Sequence, residues 1–234
     1  MKLNEIKNED CFEYLRSLKD NSIDCIVIDP PYNVLKCDWD RFENEEHFKY
    51  FTITYLQEFY RVLKDNTACY VFFSQKYMHL FYSLIRKTKF KEVNRTLIWH
   101  HKNKLNPTGK SYLYSYDPIF FLTKGNPKFN ASFSNKENVD VFEYAIPQTN
   151  FIKDKKLHIC QKPLELIKTL IIPTTIENDI VLDCFMGSGT TAIASLELNR
   201  KFLGCEANKE YFDIANNRIE NLLKKQNEML FNIY

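Results

Sequence analysis

At 234 residues, 44% hydrophobic and 26% charged, the chain is long enough to bury one sizeable core, so a single domain over 1–234 with insertions is expected. Its longest apolar runs, such as Ile23-Asp24-Cys25-Ile26-Val27-Ile28, fall far short of a membrane span, and Met1-Lys2-Leu3-Asn4-Glu5 opens no signal-peptide pattern, so a soluble intracellular protein with no membrane partner is expected. The net charge of +2 hides a basic stretch between Lys76 and Lys110, where nine Lys and Arg face one acid, Glu92, in company with Phe90 and Trp99; such a stretch suits a phosphate backbone.

In chain order, short β-branched runs alternate with amphipathic ones. Strands are predicted at Cys25 to Asp29, Cys69 to Phe73, Leu97 to His101, Ile119 to Leu122, Ile180 to Cys184 and Phe202 to Cys205. Apolar residues at helical spacing predict helices at Phe48 to Leu63, Tyr77 to Lys87, Leu164 to Ile172, Thr190 to Leu198 and Lys209 to Lys225. This is the pattern of a mostly parallel sheet with helices on both faces, an α/β fold. From Asn103 to Leu157 the pattern loosens into Asn, Lys, Pro, Ser and Gly, and a polar stretch of that length reads as a recognition region. Seven cysteines without a Cys-x-x-Cys pair read as reduced core thiols. His158-Ile159-Cys160 offers two soft ligands where zinc wants about four, so no metal is expected.

Two motifs carry chemistry. The first strand ends in Asp29-Pro30-Pro31-Tyr32, at the carboxyl edge where open α/β sheets gather ligands. Two prolines remove two N–H donors, which leaves a carboxylate beside bare carbonyls. The complement of that pair is an NH₂ group with two hydrogens to donate, and Tyr32 offers a flat face for a base. An Asp-Pro turn with a core tyrosine has the same residues, and the quartet alone does not choose between them. The second motif, Asp183-Cys184-Phe185-Met186-Gly187-Ser188-Gly189-Thr190-Thr191, is a strand, a turn and a helix start. Its glycines allow close backbone approach, and the helix N-terminus presents free N–H groups to a carboxylate. Glu206, at the end of the next strand, stands where a carboxylate grips ribose hydroxyls, so the ligand reads as a nucleoside with an anionic end. The third glycine of the dinucleotide fingerprint is missing, and no Gly-Lys-Ser/Thr follows.

Together the motifs resemble the circularly permuted, or beta-class, amino-methyltransferases of DNA, in which the Asp-Pro-Pro-Tyr quartet precedes a Phe-x-Gly-x-Gly loop, here Phe185, Gly187 and Gly189. Gln161-Lys162-Pro163 resembles the end of that family's His-Pro-Thr-Gln-Lys-Pro block, whose middle positions differ here, and Asn8-Glu9-Asp10-Cys11 resembles its Gly-Asp-Cys/Ala element without the glycine. The resemblance implies a Rossmann-like methyltransferase fold with a seven-stranded sheet, a catalytic half (1–102), a target-recognition insertion (103–157) and a cofactor half (158–234). It implies S-adenosylmethionine held by Asp10, Cys11, Asp29, Lys162, Pro163, Asp183, Phe185, Met186, Gly187, Ser188, Gly189, Thr190, Thr191 and Glu206, and catalysis by Asp29, Pro30, Pro31 and Tyr32. Asp10 has a second reading as the cap of the helix that follows it. The implied reaction is methylation of adenine N6 on a flipped-out base, with cytosine N4 and a catalytically silent DNA-binding subunit as alternatives. Lys102, Lys104 and Lys110 are the candidates for contact with double-stranded DNA. A homodimer and a cognate restriction endonuclease are the companions the resemblance allows, in the cytoplasm of a bacterial or phage-infected cell.

Overall fold

The computed structural model describes residues 2–34, 40–105, 109–130, 139–147 and 161–231. In chain order the elements are β1 (Glu5–Lys7), α1 (Cys11–Ser17), β2 (Ile23–Ile28), α2 (Glu45–Val62), β3 (Leu63–Phe72), α3 (Met78–Ile85), β4 (Arg95–His101), β5 (Tyr116–Lys124), β6 (Val141–Tyr144), α4 (Leu164–Ile171), β7 (Ile180–Asp183), α5 (Thr190–Glu197), β8 (Lys201–Cys205) and α6 (Lys209–Phe231). The strands form one sheet in the order β1-β8-β7-β2-β3-β5-β4-β6, and every pairing is parallel except those of β5 with β3 and β4.

Among the described residues the sheet has eight strands, where seven were expected. Two of them, β1 and β6, went unnoticed in the sequence. Strand β1 has three residues, too few to show a period. Strand β6 is a four-residue edge strand inside the loose stretch, with Val141 and Glu143 outward and Phe142 and Tyr144 packed inward. That stretch also supplies β5, so part of it belongs to the sheet. Strand β3 starts at Leu63, not Cys69, because α2 runs into it without a loop and Leu63 pairs with Ile23.

Side-chain alternation divides the core. On one face Ile26, Ile28, Cys69, Val71, Phe120 and Leu182 pack under α1, α2 and α3. On the other, Cys25, Val27, Ala68, Tyr70 and Val181 pack under α4 and α5, and a third cluster joins Phe202 to α5 and α6. Covered on both sides, β2 is apolar nearly throughout, which is why it reads as a continuous hydrophobic run. Between β7 and β2 the chain order reverses: β7 leads through α5 to β8 on one side, and β2 leads through α2 to β3 on the other. A crevice opens at such a switch point, outside the carboxyl ends of the strands.

Candidate active site

The crevice holds a cavity of about 320 Å³ that brings both motifs onto one wall. Asp29, Pro30, Pro31 and Tyr32 line it from the end of β2, and Asp183, Phe185, Met186, Gly187, Ser188, Thr190 and Thr191 line it from the turn between β7 and α5. Asp10, Cys11, Lys162 and Glu206 complete the wall from their own elements.

The glycine turn is built from backbone geometry. Gly187 and Gly189 have φ of +52° and +83°, the left-handed region where side chains are strained. The N–H of Gly187 donates to Glu206 Oε2 at 2.8 Å, and that of Asn208 donates to Oε1 at 2.8 Å, so one carboxylate ties the turn to the end of β8. Asp183 Oδ1 accepts from the Phe185 N–H at 2.9 Å. Helix α5 starts with no side-chain cap, which leaves its first N–H groups to a ligand. Strand β8 must pass close by: a Cβ on Gly204 would stand 2.3 Å from the Asp183 carbonyl oxygen and from Met186 Cε.

At the other end of the cavity, Asp29 Oδ2 takes an ion pair from Lys162, whose ammonium also lies 5.1 Å from the centre of the Phe72 ring. Asp29 Oδ1 is buried and has no hydrogen-bond partner among the described residues, and neither has the Tyr32 hydroxyl. The Tyr32 ring meets Phe73 edge-on at 5.7 Å. Burial pushes the Asp29 carboxyl up from its ordinary value, against the pull of Lys162. Burial likewise pushes Glu206 up, and raises Asp183 to about 7. Five acids, Asp10, Asp29, Asp40, Asp183 and Glu206, line one small volume with Lys162 as the partner of Asp29, and the repulsion of Asp183 by Asp29 and Glu206 is of the kind that a positively charged ligand relieves.

Two candidates stand off the cavity wall. Pro163 is the N-cap residue of α4, and Gly189 that of α5, packed against Ala215. Asp10 caps α1, with its Oδ1 accepting from Phe12 N–H at 2.8 Å and Glu13 N–H at 3.4 Å, and also lines the cavity. Lys102, in the turn after β4, pairs with Glu143 at 3.2 Å, Lys104 lies 4.4 Å over the Tyr114 ring, and Lys110 is exposed. His158 and Cys160 lie outside the described residues, and no metal-holding group of His, Cys, Asp or Glu occurs among those described. Trp99, an aromatic of the basic stretch, is core, with its indole N–H donating to the Tyr144 carbonyl at 2.9 Å. The sequence reading missed Asp40, Phe51, Phe72, Gln161, Asn208 and Tyr211 on the wall. Gln161 sat inside a motif already noticed; the others carry no local signal.

A doubly wound sheet with a glycine turn and the Asp29-Pro30-Pro31-Tyr32 quartet on one cavity at its switch point fits a class of group-transfer enzyme. Comparison narrows it: residues 23–217 match the family described as DNA methylase, with N6 and N4 members, and the chain belongs to that family. It is 33% identical over 226 residues to the type II methyltransferase M.HpaI of Haemophilus parainfluenzae, covering 88% of this chain and 71% of that one. To M1.MboII of Moraxella bovis it is 28% identical, covering 92% and 96%. Among solved structures, the M1.HpyAVI–SAM complex is similar with a TM-score of 0.69 at 25% identity, over 92% of this chain and 98% of that one. The cytosine-N4-specific PvuII DNA methyltransferase shares the fold with a TM-score of 0.78 at 18% identity, over 91% and 84%.

Proposed function

We propose that this chain methylates adenine N6 in double-stranded DNA at a specific site, with S-adenosylmethionine as the donor. The observation that carries the reading is the buried Oδ1 of Asp29, unpartnered among the described residues, on the same cavity as Pro30 and the glycine turn. The acid-rich wall fits a cofactor with sulfonium and ammonium charges, Glu206 fits its ribose, and the uncapped start of α5 fits its carboxylate. When bound, the cofactor supplies a methyl group already activated by positive charge on sulfur.

The protein does the rest by positioning. A paired base has its amino group inside the duplex, so the nucleotide must rotate out at a cost of roughly a few kcal/mol, offset in part by stacking on Tyr32. Asp29 Oδ1 and the Pro30 carbonyl each accept one N–H and so hold the amine with its lone pair towards the methyl. Orientation of this kind is worth up to about 7–11 kcal/mol. Asp29, whose carboxyl burial pushes up against the pull of Lys162, takes the proton that the amine releases. Aspartate at the head of the quartet supports adenine over cytosine, because the family associates Asp with adenine and Ser with cytosine. In the same reading Lys102, Lys104 and Lys110 meet the DNA backbone, residues 103–157 recognise the target, and a homodimer and a restriction endonuclease are the companions, in a bacterial or phage-infected cytoplasm. No helix among the described residues is long and apolar enough to cross a membrane.

The test is modified-base sequencing of DNA from cells expressing the chain, with calorimetry on variants. A single motif carrying N6-methyladenine is expected; N4-methylcytosine would overturn the choice of base, and no modification despite bound cofactor would favour a silent DNA-binding subunit. Asp29→Ala should abolish transfer while the protein still binds S-adenosylmethionine, whereas Glu206→Ala should lose that binding. Normal methylation by Asp29→Ala would overturn the assigned roles.

A further inference from the structure

The turn that carries Tyr32 is clamped by a carboxylate that the reaction itself does not call for. Asp40 is 1% exposed and collects three consecutive backbone N–H groups: those of Tyr32 and Asn33 (2.8 Å) on Oδ1, and that of Val34 on Oδ2 at 2.7 Å. Such convergence needs a residue in the left-handed region, and Asn33, with φ of +59°, supplies it. Successive N–H groups in this conformation form an anion-binding concavity, here filled by the chain's own aspartate. The clamp is anchored: Asn33 Oδ1 accepts from the Phe42 N–H at 3.4 Å, and the Phe42 ring packs on Phe48 and Phe51 of α2, with centroids 5.1 and 5.0 Å away. A line of contacts therefore runs from the core helix through Phe42 to Asn33, and Asp40 ties Asn33 to the backbone of Tyr32 and Val34.

We propose that Asp40 is a positioning residue for methyl transfer, fixing the turn after Pro31 so that the Tyr32 face and the Pro30 carbonyl are set before a base arrives. The proposal rests on the functional reading above. It adds a residue that acts through backbone N–H groups, so its loss should slow transfer without weakening the cofactor.

The experiment compares wild type, Asp40→Ala and Asp40→Asn by amide hydrogen exchange over residues 32–34, single-turnover transfer to a duplex carrying the modified motif, and cofactor affinity. Asp40→Ala should lose exchange protection over 32–34 and slow transfer by about a hundred-fold, the scale of a misplaced reacting group. Asp40→Asn keeps one acceptor oxygen but turns an NH₂ towards the Val34 N–H, so its rate should fall only about ten-fold, the scale of one lost hydrogen bond. Cofactor affinity should stay within about three-fold in both, well below the loss that removing a direct ligand contact brings. Unchanged exchange or unchanged rate in Asp40→Ala overturns the proposal, as does a loss of cofactor affinity in Asp40→Asn that matches its loss of rate. Should Asp40→Ala melt below the assay temperature, Asp40→Asn decides by the same criteria. A wild type that methylates no DNA would sink the functional reading instead, and the exchange comparison would still decide whether the clamp exists.

Discussion

Asp183 is held by the Thr191 side chain and the Phe185 N–H, yet burial, with Asp29 and Glu206 adding repulsion, raises its carboxyl to about 7. A folded-state pKa above the unfolded value of 3.8 means that the folded protein binds more protons than the unfolded chain between about pH 4 and 7. This group therefore favours the fold below that window and costs stability as pH rises through it, levelling off above. Asp183→Asn keeps an oxygen for the Phe185 N–H and removes the titration. The difference in melting temperature between Asp183→Asn and wild type, without cofactor, should thus grow in favour of the variant from pH 4 to 7 and then stay flat. A difference that does not change with pH would mean that Asp183 is not driven up by its surroundings. Using the difference cancels Asp179, another raised acid, which does not interact with Asp183 and acts alike in both proteins.

At the scale of elements, α1 tests whether one aspartate serves two masters. Asp10 caps the helix and also faces the cavity, the two readings its sequence context allowed. Asp10→Ala removes the cap at a cost of about 0.5–2 kcal/mol, whereas Asp10→Ser keeps a capping oxygen and should hold stability to within about 0.5 kcal/mol. If the carboxylate also meets the ligand, both variants lose cofactor affinity in calorimetry; an unchanged affinity in Asp10→Ser would leave Asp10 as a cap alone. The same contrast explains what could be read from the sequence. Asp29 to Tyr32 and Asp183 to Thr191 were legible because a strand end and a turn compress their chemistry into consecutive residues. Strand β2 was legible because burial on both faces leaves it apolar nearly throughout. Asp40 was not, since its meaning lies in backbone groups that another segment turns towards it. Strand β6 was not, because a half-exposed edge of four residues shows no period.

For the molecule as a whole, topology changes the meaning of the basic stretch from Lys76 to Lys110. Linear counting made it one patch, but the fold deals its charges to two places. Lys76 lies just beyond the carboxyl end of β3, and Lys102, Lys104 and Lys110 follow the carboxyl end of β4, on the edge of the sheet where the cavity opens. Arg86, Lys87, Lys89 and Lys91 belong instead to the return passage from the end of α3 to the start of β4. A duplex presenting a base to Tyr32 approaches the first group and not the second. Each phosphate contact releases condensed counterions and contributes about 0.9 to the slope of log affinity against log salt. Replacing Lys102, Lys104 and Lys110 with Ala should therefore weaken DNA binding and flatten that slope by up to about 2.7, while the same change at Lys87, Lys89 and Lys91 should leave it within about 0.5 of wild type. Both triple variants lose the same net charge, so a general electrostatic attraction would alter them equally. Fluorescence anisotropy on a labelled duplex over a salt series reads the two slopes. Equal slopes in the two variants would place the DNA elsewhere on the surface.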